Sequence, residues 1–162
     1  MLDDNVGTAT SYTLSANSGS AYKFRVIAIN TVGESLSSPE SAIIIAANAP
    51  DPPTNLARVY ADGTMITIEW DAPLLTGGIP VIDYKVYWDY GQGGQLVEIA
   101  STTANDRLFT QDSDIIGGRT YAFTAVAVNA VDESVQSAPL LVIAARVPTT
   151  PDAPIKQSAD GS

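Results

Sequence analysis

Carboxylates are the side chains with most chemical potential here, because the sequence has no histidine and no cysteine. That composition removes most metal-ligand sets, nucleophile–base pairs and thiol chemistry at once. The acids that sit close together are Glu69 with Asp71, Asp112 with Asp114, and Asp132 beside Glu133. Glycosidic acid–base work needs two carboxyls facing each other across a cleft, one of them with a raised pKa. Acids two apart on an outward strand face, or flanking Ser113 in a turn, supply neither condition. Calcium needs several oxygens converging on one point. Asp112-Ser-Asp114 with Asp132-Glu133 has the right donors, yet acids in turns are read as solvated, so no metal or cofactor is expected. Gly91-Gln-Gly-Gly94 has the glycines of a phosphate cradle but not the lysine and helix that would follow. It reads as a hairpin turn, and no enzyme is expected.

The elements that carry these residues read as strands. Residues 64–70 alternate, with Ile66, Ile68 and Trp70 on one face and Met65, Thr67 and Glu69 on the other. Residues 82–88 alternate again and place Ile82, Tyr84, Val86 and Trp88 inward. Residues 56–60, 95–100, 107–111, 121–129 and 140–145 complete a set of short strands. Pro73, Gly77-Gly78, Gly91–Gly94, 112–118 and 130–134 mark the turns between them. No stretch has helical periodicity. Short, regularly spaced strands with turn signals between them predict an all-β sandwich and exclude a doubly wound fold.

Part of the pattern occurs twice. Tyr121-Ala-Phe-Thr-Ala-Val-Ala-Val-Asn129 has a near copy in Tyr22-Lys-Phe-Arg-Val-Ile-Ala-Ile-Asn30. Ile44-Ile-Ala-Ala47 matches Val142-Ile-Ala-Ala145, and Pro50-Asp-Pro-Pro53 resembles Pro151-Asp-Ala-Pro154. Ala159-Asp-Gly-Ser162 echoes Ala61-Asp-Gly-Thr64. The expected organisation is therefore a C-terminal half unit over 1–47, with strands at 10–14, 22–30 and 41–47. A stiff proline linker at 48–53 follows, because proline removes backbone donors and fixes φ. A complete unit spans 54–147, and 148–162 hold a linker and the start of a further unit. Such a chain is an excerpt from a tandem array.

Composition limits the partners. The net charge is −10, from 8 Lys+Arg against 18 Asp+Glu. Nucleic acid and anionic membrane surfaces both reward clustered positive charge, so neither is expected. No apolar run approaches the about 18 residues that a membrane helix needs. The acidic start, Met1-Leu-Asp-Asp, has no positive signal-peptide region. With hydrophobic residues at 45%, a packed core is expected.

In order and spacing these residues resemble the fibronectin type III domain, an immunoglobulin-like sandwich of seven strands. The resemblance is carried by Pro52-Pro53 with Leu56, Trp70 followed by Pro73, Tyr84-x-Val86-x-Trp88, Tyr121-x-Phe-x-Ala-x-Ala-x-Asn129 and Asp132-Glu-Ser134. In the first unit it rests on residues 22–30 and Val32-Gly-Glu-Ser35. The resemblance implies core roles for Trp70, Tyr84, Val86, Tyr121 and Phe123, and for Tyr22 and Phe24 in the first unit. Tyr121 and Tyr22 fall where the tyrosine corner belongs. Ile115-Ile-Gly117-Gly118 departs from the Leu-x-Pro-Gly usual at that corner, and Ala16-Asn-Ser18-Gly19 departs likewise.

The implied function is a non-catalytic structural spacer and adhesion module contacting other proteins or neighbouring repeats, outside the cell or on its surface. Two alternatives fit the same residues. One is a spacer in a secreted carbohydrate-active enzyme, and the other is an intracellular filament or ciliary array. Tyr87, Val126 and Val128, on the outer face of one sheet, form the candidate partner surface. No Arg-Gly-Asp tripeptide occurs, so integrin binding is not carried over, and no Asn-x-Ser/Thr sequon is present.

Overall fold

A computed structural model describes residues 5–155. The acidic start at 1–4 and the Ala159-Asp-Gly-Ser162 echo lie outside the described residues. Among the described residues nine strands form three antiparallel sheets. β1 (Ala21–Tyr22) pairs with β2 (Ile44–Ile45). β3 (Thr54–Ala61), β4 (Ile66–Asp71) and β7 (Leu108–Gln111) make a sheet in the order β3-β4-β7. β5 (Val81–Trp88), β6 (Val97–Thr103), β8 (Thr120–Asn129) and β9 (Leu140–Ile143) make another, ordered β6-β5-β8-β9. All seven strands read between 54 and 147 are therefore present.

Between these two larger sheets lies one core. Ile66, Ile68 and Trp70 of β4 meet Tyr84, Val86 and Trp88 of β5 and Tyr121, Phe123, Ala125 and Ala127 of β8, all of them buried. Alternation sends every second side chain of a strand to the same face, which is why these positions converge. The β5–β8 register fits large against small: Tyr84 lies opposite Ala127, and Val86 opposite Ala125. At the other end Trp88 lies opposite Phe123 and stacks on Tyr121, with ring centroids 5.4 Å apart. Trp70 meets the Tyr84 ring edge-on at 5.7 Å, a favoured aromatic geometry. Ile82 departs from the expected inward set: it is 55% exposed. The β5–β8 register shifts between Val81 and Asp83, which interrupts the alternation at Ile82, and Val81 packs against the core in its place.

The first segment differs more. Residues 10–14 are not a strand. The counterpart in the complete unit, β7, pairs with β4, and no equivalent of β4 precedes residue 10 among the described residues. Where strands are expected at 22–30 and 41–47, the regular ladder is only two residues long on each side, Ala21 and Tyr22 against Ile45 and Ile44. Beyond them serine hydroxyls take over. Phe24 N–H donates to Ser41 Oγ, Val26 N–H to Ser38 Oγ and Ala28 N–H to Ser35 Oγ, each at 3.0 Å. The same serines return their own N–H groups to the carbonyls of Phe24, Val26 and Ala28. The complete unit repeats the device: Ala125 N–H donates to Ser137 Oγ and Ala127 N–H to Ser134 Oγ, again at 3.0 Å. Serines three apart thus replace a strand with a series of hydroxyl rungs.

Candidate functional site

The acidic pairs all lie at exposed positions. Glu69 is exposed and sits in register with Ala57 and Leu108, while Asp71 Oδ2 accepts a bond from Asn55 Nδ2 at 2.8 Å. Asp112 and Asp114 are exposed in their turn. Among the described residues no three of His, Cys, Asp or Glu come together where they could hold a metal. A shallow hollow beside β6 contains Asp83, Ser101, Thr103 and Asp106. Its polar groups satisfy one another, Ser101 Oγ bonding Asp83 Oδ2 and Thr103 Oγ1 bonding Asp106 Oδ2. No described helix is long and apolar enough to cross a membrane.

The core residues read from the sequence come together in the complete unit. Trp70 is 2% exposed and Tyr121 and Phe123 are fully buried, with Tyr84 and Val86 packed between them. Burial pushes the Tyr84 phenol upward in pKa. The two tyrosine corners form in the same way: Ile116 N–H donates to Tyr121 Oη at 2.7 Å, and Asn17 N–H to Tyr22 Oη at 3.2 Å. Tyr121 also donates to the Asp114 carbonyl. Gly118 and Gly19, at φ 82° and 81°, supply the left-handed turn before each tyrosine. Core burial does not extend to the first copy, where Tyr22 is half-buried and Phe24 is 37% exposed. Within the described residues no second sheet covers their face.

The candidate partner face is more covered than its residue types imply. Val126 is only 3% exposed, and Tyr87 and Val128 are half-buried. Lys85 Nζ lies 2.6 Å from Glu133 and 3.5 Å from Glu98, and Tyr87 Oη bonds Glu98. The hydrogen bond that Lys85 donates to Glu133 is the main cause holding its ammonium above its ordinary pKa. Long polar side chains therefore lie over the β-branched residues.

Two arrangements escaped the sequence reading. One is Asp62, which accepts bonds from Thr64 N–H, Thr64 Oγ1, Met65 N–H, Tyr60 Oη and Arg146. The Thr64 backbone bond foremost, then Tyr60, the Thr64 hydroxyl and Arg146, hold its carboxyl well below the usual range. The Arg146 guanidinium also sits over the Tyr60 ring at 5.5 Å. The other lies where the proline segment meets the loop between β4 and β5. Asn48 N–H donates to the Gly77 carbonyl and Asp51 N–H to that of Leu75, each at 2.9 Å. Asn129, at the end of β8, donates through Nδ2 to the carbonyls of Asn48 at 2.7 Å and Thr76 at 2.9 Å. Gly77 and Gly78 have φ of 76° and 92°. A Cβ on Gly77 would sit 2.1 Å from the Asn48 carbonyl oxygen, and one on Gly78 2.3 Å from Gly19 N. The available signals were Gly77-Gly78 itself and the recurrence of asparagine at 30 and 129.

A three-stranded sheet packed on a four-stranded one around an indole and a tyrosine corner defines an immunoglobulin-like β-sandwich. Within that class the sandwich of β3–β9 has the fibronectin type III fold, in agreement with the resemblance of its sequence. A crystal structure of titin domains superposes with a TM-score of 0.62 at 19% identity, covering 81% of this chain and 43% of that one. The solution structure of a human fibronectin type III domain gives 0.55 at 22% identity, covering 66% of this chain and 88% of the domain. In sequence the chain is 32% identical over 114 residues to Myomesin-2 of Homo sapiens, covering 68% of this chain and 8% of that protein. It is 31% identical over 116 residues to the striated-muscle M-protein of Gallus gallus, covering 70% and 8%. The chain thus spans less than a tenth of the length of these two relatives. No family model matches the sequence.

Proposed function

We propose that this chain is a non-catalytic structural spacer, a stretch of tandem fibronectin type III units that contacts neighbouring repeats and other proteins. On this reading residues 1–47 are the C-terminal half of one unit, 48–53 its linker, 54–147 a complete unit, and 148–162 the approach to another. The observation that carries it is the close backbone joint between Asn48–Asp51 and the Leu75–Gly78 loop, because a flexible tether needs no such fit. Similarity to a striated-muscle protein and to titin domains supports an intracellular filament setting. It supports neither adhesion outside the cell nor a spacer in a secreted enzyme, and the extracellular expectation is set aside for the filament one. Each unit adds about 30 Å, the length of a strand of 8–10 residues at ~3.3 Å rise. Small-angle scattering from the chain should give an elongated distance distribution. A compact globule would overturn the spacer reading.

A further inference from the structure

We infer that the asparagine ending the sixth strand of each unit is a joint residue, whose side-chain amide holds the linker ahead of its own unit. The inference rests on the tandem-unit reading above and names the contact that would make the array stiff.

Asn129 performs two tasks with two different atoms. Its Oδ1 accepts from Val131 N–H at 2.9 Å and Asp132 N–H at 3.1 Å, which closes the turn after β8. Its Nδ2 donates both hydrogens away from that turn, to Asn48 in the linker and Thr76 in the β4–β5 loop. Asn129 is 3% exposed, so an unpaired amide there would carry the penalty of a buried, unsatisfied donor. The turn needs only an acceptor, and aspartate could supply one equally well. The amide is therefore explained by the joint rather than by the turn.

Asn30 reproduces the first task. Its Oδ1 accepts from Val32 N–H at 2.8 Å and Gly33 N–H at 3.1 Å. Among the described residues it has no equivalent of the Asn48 and Thr76 carbonyls, and it is exposed. Among the described residues the same residue in the same turn thus occurs once beside a linker and once without one. The partner that fits the Asn30 amide is the main chain of the linker entering its own unit. Glycine recurs on the other side of the contact as well. Gly19, in the tyrosine-corner turn of the first unit, lies against Gly78, with 3.4 Å from its ideal Cβ position to the Gly78 carbonyl oxygen. Gly118 has the same φ and the same turn bond, its N–H meeting the Ala144 carbonyl as Gly19 N–H meets that of Ala46. Nothing lies within 4 Å of its Cβ position.

Residual dipolar couplings and ¹⁵N relaxation on the whole chain test the assignment, comparing amides of 20–46 with those of 54–145. In the wild type one alignment tensor should fit both sets. Asn129→Asp keeps the turn acceptor but places a carboxylate against two carbonyls. It should leave the sandwich shifts in place while residues 20–46 acquire a separate, smaller tensor. Asn30→Asp makes the same chemical change in the same turn and should leave the single tensor intact. Gly78→Ala attacks the joint from the loop side, should separate the tensors too, and carries the test if Asn129→Asp unfolds. Gly93→Ala, at positive φ in open space, controls for backbone strain alone. A single tensor persisting in Asn129→Asp and Gly78→Ala, or equal uncoupling by Asn30→Asp, would overturn the joint and leave the spacer reading standing. Two independent tensors in the wild type would overturn both.

Discussion

At the scale of single residues, the repeat provides its own controls. Trp70→Ala empties a large buried site and should lower stability by about 3–5 kcal/mol, measured by urea denaturation of the sandwich. A loss below about 1 kcal/mol would contradict its place between the sheets. Tyr121→Phe leaves the Ile116 amide without its acceptor and should cost about 1–3 kcal/mol. Tyr22→Phe removes the same bond from a half-buried corner whose Asn17 amide can turn to water. Its effect on the unfolding midpoint should be the smaller of the two.

Asp62 gives a residue-scale pH signature. Its folded pKa is depressed, so its contribution is complete above the unfolded value of about 4. The contribution falls away as pH drops from there toward the folded value. The stability gap between wild type and Asp62→Asn should be widest at neutral pH and should narrow in acid. A gap independent of pH in parallel urea titrations would mean that the ring of donors does not bind the charged form preferentially.

At the scale of elements, Ser137→Ala tests the hydroxyl rungs. It strips the acceptor from the buried Ala125 amide and should destabilise the sandwich by about 1–3 kcal/mol. Ser38→Ala, in an exposed rung, should do less, since water can replace the hydroxyl. How much was legible in the sequence follows from the same contrast. Period-two alternation placed β4 and β5 and most of their inward faces, because a single core-facing side leaves a strong imprint. By contrast β8 is buried on both faces, Thr124 and Val126 included. Ile82 broke the rule because the β5–β8 register shifts between Val81 and Asp83, an irregularity that no residue type there announces. The serine rungs obey a spacing of three, outside the strand template, so the sequence shows only a turn ending at Ser35 and a strand beginning at Ser41. The Asp62 ring was hidden because Arg146 and Tyr60 are far apart along the chain from each other. The Asn129 joint was half visible: its identity repeated, but its acceptors are backbone carbonyls, which no residue type announces.

At the scale of the whole molecule, the two segments hold very different cores. Tyr121, Phe123 and Ala125 of β8 are fully buried, whereas Val26, Ile44 and Ile45 are half exposed or more. Hydrogen exchange should be slowest along β8 and fastest along residues 22–30, as local opening follows buried contact. Equal protection of the two copies would show that something else covers the first.

The serine rungs bear on a hazard peculiar to chains that repeat their own sequence. Neighbouring copies of one strand are held at high mutual concentration and can exchange places during folding. A regular outer strand would offer its free amides to whichever copy arrived first. At Ser134 and Ser137 each serine spends both its N–H and its hydroxyl on the strand behind it, so that edge presents no continuous template. That stretch of the β8 edge is thereby kept from serving as a template for another copy of the strand.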